Sequence, residues 1–172
     1  MRPGMTAGST PSAGTVGDPG GRDLRSERIR VVMGAEPPVA PRGTTLGACI
    51  AALQSARSDC VLITDGGILA GIFTERDILM KVLGREVDLE APVDGFMTLR
   101  PETLSPEDAV GEALALMDAG RFRHLPLTDA SGRPAGVLRQ QDVIEYLAEA
   151  FPQEILNLPP RPHQVMEGAD GG

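Results

Sequence analysis

The chain has no continuous apolar run near the roughly 18–20 residues that span a bilayer, and its N-terminus lacks the apolar block of a signal peptide. A soluble, cytoplasmic protein with no membrane partner is therefore expected. Basic residues are in deficit, with 16 Lys and Arg against 24 Asp and Glu and a net charge of -8. A phosphate-backbone surface needs clustered cations, so nucleic acid is not an expected partner. Cysteine is scarce. Cys49 and Cys60 have neither CxxC spacing nor a neighbouring His, which predicts no metal site and no disulfide framework, only buried reduced thiols. With two His and no GxGxxG or GxxxxGK[ST] loop, no nucleophile with its base, metal cluster or phosphate loop is complete. The chain is not expected to be an enzyme.

Length and composition bound what remains. The 172 residues suit one ordinary domain or two small ones. Residues 1–28 form an N-terminal segment expected to be disordered, because Gly, Pro, Ser and Thr dominate up to about Arg25 and few large apolar side chains offset the entropy of ordering. Residues 151–172 form a C-terminal extension with a disordered end, marked by Pro159, Pro160, Pro162 and a Gly-Gly terminus.

Between these ends the sequence repeats itself. At an offset of 64, Met33 matches Met97, Pro37 matches Pro101, Gly47 matches Gly111, Thr64 matches Thr128 and Asp65 matches Asp129. Apolar pairs join them, such as Val61 with Leu125 and Ile63 with Leu127. After the Asp129–Gly132 turn the offset becomes 65, and Ala70, Gly71 and Asp77 match Ala135, Gly136 and Asp142. One extra residue in a turn is readily tolerated. The units are residues 29–86 and 93–150.

Each unit predicts the same order of elements. Val110, Ala113, Leu114 and Met117 follow helical spacing, preceded by Ser105-Pro106-Glu107-Asp108 as a helix start. Leu125–Thr128 and Ala135–Leu138, like Cys60–Thr64 and Leu69–Phe73, are β-prone runs around Gly-containing turns and predict hairpins. A second helix follows each hairpin, carrying Ile78, Leu79, Val82 and Leu83 in one unit and Val143, Ile144, Tyr146 and Leu147 in the other.

This order, with Gly71-Ile72-Phe73-Thr74-Glu75-Arg76-Asp77-Ile78, Phe96-Met97-Thr98 and Arg123-His124-Leu125-Pro126-Leu127, resembles the CBS domain in its tandem form, the Bateman module, over about 120 residues. The resemblance implies an α+β fold of two CBS repeats, each helix-strand-strand-helix with an extended lead-in strand. It further implies a pseudo-twofold pair of three-stranded sheets and two clefts between the repeats. Such stand-alone pairs are regulatory, signal-transducing modules that bind adenosine-containing ligands such as AMP, ADP, ATP, NAD or S-adenosyl methionine. A homodimer and an unidentified regulated protein are the further expected partners. The apolar positions Leu114, Met117, Tyr146 and Leu147 are more numerous than one thin sheet layer needs, which also points to a dimer.

The same resemblance assigns the candidate site. Asp77 matches the acid that accepts hydrogen bonds from both ribose hydroxyls, with Thr74 beside it. Thr98, Pro101, Glu102 and Thr103 match the wall that holds the base, and Arg123 and His124 the basic pair facing phosphate. Each has a plainer reading. Thr74 and Asp77 have capping-box spacing, Arg123 suits an exposed charge, and His124 suits a strand residue satisfied by a neighbour. The second cleft keeps Asp142 but has Arg139 in place of the hydroxyl, Gly34 opposite, and Asp59-Cys60 in place of Arg123-His124. Arg139 is expected either to reach a phosphate or, in preference, to lie on the surface. A ligand-independent dimerisation or interaction module is the competing reading.

Overall fold

The computed structural model describes residues 23–150. The disorder expected for residues 1–22 and for the end of the 151–172 extension lies outside the described residues. Residues 23–28, placed by sequence in the disordered segment, instead pack on the second repeat. Asp23 Oδ1 accepts the Arg25 N–H at 3.0 Å, Arg28 bridges to Ala109, and the Arg28 guanidinium reaches the Glu107 carbonyl.

The elements run α1 (Ile29–Val32), β1 (Val39–Pro41), α2 (Leu46–Ala56), β2 (Cys60–Asp65), β3 (Ile68–Thr74) and α3 (Glu75–Asp77). A π-helical turn at Ile78–Val82 extends α3, and β4 (Thr98–Leu99), α4 (Val110–Gly120), β5 (His124–Thr128), β6 (Pro134–Arg139) and α5 (Gln140–Ala150) follow. The β2–β3 hairpin closes through Gly66 and Gly67 at φ +57° and +85°. A two-residue hairpin turn of this hand needs positive φ at both positions, which only glycine adopts freely.

The sheets differ from the expected three-stranded pair. One has four strands in the order β1-β2-β3-β4, and the other has β5 and β6 alone. In the first half β1 runs parallel to β2, anchored by Leu62 N–H donating to the Pro38 carbonyl at 3.0 Å. The counterpart of Leu62 is Pro126, which has no N–H to give. The third strand of the second half therefore shrinks to a single parallel bridge, Leu104 to Leu127.

Two helix expectations are also corrected. The Ser105–Asp108 run is a separate turn, closed by Ser105 N–H on Asp108 Oδ2 at 2.7 Å, and α4 begins only at Val110. The carbonyls of Pro106 and Asp108 accept from Arg30 and Ile29, so they are unavailable to a helical ladder. In the first repeat the second helix is one α turn passing into a π turn, where Leu83 N–H reaches the Ile78 carbonyl. Ile78 and Val82 pack inward, while Leu79 and Leu83 stay exposed.

The cores cross the repeat boundary. Ile29 and Val32, from the lead-in of the first unit, are buried with Val110, Met117, Leu125 and Leu138 of the second. Val93 and Met97 are buried reciprocally with Leu46, Leu53, Val61 and Phe73 of the first. Glycine makes this exchange possible, since a Cβ at Gly71 would sit 2.6 Å from Met97 Sδ and one at Gly136 would sit 2.4 Å from Met33 Cε. A third cluster, Cys60, Leu62, Ile72 and Val137, joins the two halves. Leu114, Tyr146 and Leu147, read from sequence as surplus apolar positions, pack against the second core instead.

Candidate functional site

Asp77 sits where β3 turns into α3, and the chain there forms the capping arrangement that its spacing predicts. Its Oδ2 accepts the Thr74 backbone N–H at 2.9 Å and the Thr74 hydroxyl at 3.1 Å. Its Oδ1 pairs with Lys81 Nζ at 2.8 Å, and that ammonium also donates to the Phe96 carbonyl at 2.5 Å. Lys81 escaped the sequence reading, although an acid four residues before a lysine is a recognisable helical pair.

Around Asp77 opens the larger of two clefts, about 1370 Å³. Both repeats build it. Thr74 and Asp77 meet Thr98, Pro101, Glu102, Arg123 and His124 along its walls, whereas Thr103 is not among the lining residues. Thr98 is placed by β4, which pairs with Ile72 of β3 beside the Thr74 turn. Arg123 is exposed and has no ion-pair partner among the described residues, whereas His124 Nε2 lies 2.6 Å from Asp59 Oδ2.

Asp59 is the residue that sequence reasoning undervalued. It lines both clefts. Its second oxygen accepts from Arg139 Nε at 2.7 Å. Burial opposes its ionisation, but the hydrogen bonds and charges of Arg139 and His124 outweigh that and hold its carboxyl below the ordinary value of 3.8.

The preferred surface placement of Arg139 is thus overturned. Its side chain is 13% exposed, and it also donates to the Ala35 carbonyl at 3.1 Å and to Ser58 Oγ at 3.4 Å. Asp59, itself half-buried, supplies the counter-charge that draws it inward. The second cleft, about 740 Å³, is correspondingly narrowed. Asp142 Oδ2 accepts the Arg139 backbone N–H at 2.8 Å, and its Oδ1 would lie 2.5 Å from a Cβ placed on Gly34. No residue with a side chain fits there while Asp142 keeps this position.

The fold also brings His124 to within 4.8 Å of Cys60 and Asp59, a possible metal-ligand trio that the spacing in the sequence did not reveal. The donor set is poor for a cation. Burial pushes the Cys60 thiol up to about 12, while a metal-binding cysteine must be a thiolate. Asp59 is already neutralised by the Arg139 guanidinium. Among the described residues, no helix is long and apolar enough to cross a membrane.

Two interlocked helix-hairpin units with a ligand-sized cleft at their junction define a paired-repeat module. The family model of the CBS domain matches residues 28–84 and 93–149, so the chain belongs to the CBS domain family as a tandem pair. A CBS domain-containing protein of Arabidopsis thaliana is 38% identical over 91 residues, which are 52% of this chain and 17% of that protein. An arabinose 5-phosphate isomerase of Pseudomonas aeruginosa is 34% identical over 104 residues, 59% of this chain and 32% of that one. The chain thus spans only a minor part of these relatives. Among solved structures, a CBS-domain containing protein from Agrobacterium tumefaciens aligns with a TM-score of 0.62 and 26% identity over 70% of this chain and 98% of its own. A CBS domain protein from Pyrobaculum aerophilum, solved in complex with AMP, aligns with a TM-score of 0.63 and 23% identity over 72% and 99%.

Proposed function

We propose that this CBS pair is a non-catalytic regulatory module that binds an adenine nucleotide in the larger cleft and passes energy or metabolite status to a partner protein in the cytoplasm. One observation carries the reading. Asp77 of the first repeat and Thr98, Arg123 and His124 around the second line one cleft, so an acid suited to a ribose hydroxyl and a guanidinium suited to phosphate share a single space. The capping role of Asp77 leaves one acceptor site for a ribose hydroxyl, because each carboxylate oxygen accepts two hydrogen bonds, Oδ2 already has both from Thr74 and Oδ1 has only that of Lys81. The AMP complex of the Pyrobaculum protein supports the ligand class.

The test is a thermal-shift panel of AMP, ADP, ATP, NAD and S-adenosyl methionine, followed by calorimetry on two variants. A ligand selective for the folded state raises the melting temperature by mass action. Asp77→Ala should lower affinity by about tenfold to a hundredfold, since hydrogen bonds to charged groups contribute roughly 1.5–3 kcal/mol each. The same change removes a cap, at about 1 kcal/mol of stability, so the unliganded variant is melted alongside. Asp142→Ala should leave binding nearly intact. If it abolishes binding while folded Asp77→Ala binds normally, the wrong cleft has been assigned.

A second reading, assembly without ligand, is favoured by Leu79, Met80, Leu83 and Ile144, all more than half exposed on the helices at the cleft and its flank. These side chains, rather than Leu114 and Tyr146, would form the face of a homodimer. Absence of any melting shift at millimolar nucleotide, together with a dimeric mass by light scattering, would favour it.

A further inference from the structure

We propose that Asp59 is an internal competitor for ligand phosphate: its carboxylate holds donors of His124 and Arg139 at the larger cleft, and a nucleotide phosphate reaches them only by displacing it. This rests on the nucleotide reading above and adds to it a residue that sets the affinity for phosphate.

The donors are already spent in the unliganded protein. Asp59 Oδ2 lies 2.6 Å from His124 Nε2, and Oδ1 accepts from Arg139 Nε at 2.7 Å. The Asp59 carboxyl is held below 3.8, so at neutral pH it is ionised and can only accept. Nε2 must therefore carry the hydrogen in this contact, and a ring nitrogen has only one to give. The single N–H of Arg139 Nε is committed in the same way, while its terminal nitrogens donate to the Ala35 carbonyl at 3.1 Å and to Ser58 Oγ at 3.4 Å. Arg123, by contrast, has no ion-pair partner among the described residues.

Pseudo-symmetry shows how this anion comes to stand there. At the repeat offset of 64, Asp59 is the counterpart of Arg123. The first repeat thus presents a carboxylate where the second presents a guanidinium, and directs it across the junction between them. Asp59, Glu75, Arg139 and Gln141 line both clefts, so the carboxylate stands on the partition that separates them. A phosphate oxygen accepting from His124 Nε2 would lie within about 6 Å of Asp59 Oδ2, close enough for the two anions to repel. Phosphate must take the hydrogen from Asp59 and face its charge as well. Adenosine, without a phosphate, meets neither obstacle.

The experiment is calorimetric titration of the full chain with AMP and with adenosine, for the wild type, Asp59→Asn and Glu75→Gln, with melting curves to verify that each unliganded variant is folded. Asp59→Asn should bind AMP about three- to tenfold more tightly than the wild type, the scale of one partly exposed charge pair, with no such gain for adenosine. Glu75→Gln removes a charge from the same partition but frees no donor held by an ion pair, so its gain should be smaller. The wild type supplies a readout that needs no variant. The chain has two His, 124 and 163, and AMP should move the nitrogen-15 resonance of His124 Nε2 further than adenosine does, because only AMP changes its partner. AMP affinity unchanged or weakened in folded Asp59→Asn, an equal gain for adenosine or in Glu75→Gln, or equal resonance shifts with the two ligands overturns this proposal alone. Failure of AMP and adenosine to bind wild type and variants alike overturns the nucleotide reading and this proposal with it.

Discussion

Asp59→Asn probes the junction between the two clefts. The carboxylate holds Arg139 at 2.7 Å and His124 at 2.6 Å, and the Arg139 side chain is 13% exposed. The amide cannot serve both as a charged acceptor, so a nearly buried guanidinium is left with neutral oxygens and an Asp142 carboxylate 3.9 Å away. Breaking a fully buried ion pair costs about 3–5 kcal/mol. Asp59 is 35% exposed, and water screens what it loses, which brings the expectation to about 2 kcal/mol. For a cooperative unit of this size that corresponds to a fall of about 6–10 °C in melting temperature. Acidity provides the sharper signature. Because the folded Asp59 carboxyl lies below 3.8, its stabilisation is fully present above that value and disappears as pH falls through the folded pKa. Melting curves of both proteins from pH 7 down to about pH 3 should therefore converge at the acid end. Identical melting temperatures at pH 7, or a difference that persists undiminished in acid, would refute the role given to this carboxylate.

Two further outcomes follow from the crossed cores. Residues 1–86 and 87–172 expressed separately should each fail to melt cooperatively, because Ile29 and Val32 belong to the second core and Val93 and Met97 to the first; two monomeric halves with sharp transitions would contradict this. Gly71→Ala should lower stability by about 1–3 kcal/mol, since the new Cβ would meet Met97 Sδ at 2.6 Å and the Thr98 carbonyl at 2.8 Å. An unchanged melting temperature in that variant would show that β4 shifts without penalty.

The sequence by itself determined whatever depends on local pattern and repetition. Val61 with Ile63, and Leu125 with Leu127, declared two matching buried strands through periodicity, and Gly66-Gly67 declared the turn between β2 and β3. The capping of Asp77 by Thr74 was visible because both partners lie within one turn of backbone. Only tertiary structure decided what depends on residues far apart in the chain. No local signal tells that Met33 must lie on Gly136, or that the lead-in of each repeat completes the core of the other. Nor could spacing reveal that Asp59 reaches across to His124 and Arg139, because those contacts span 65 and 80 residues and exist only once the repeats face each other. The fate of Arg139 turned on that same meeting. An arginine reads as a surface residue until a half-buried carboxylate offers it a partner, and the partner here comes from the other half of the molecule.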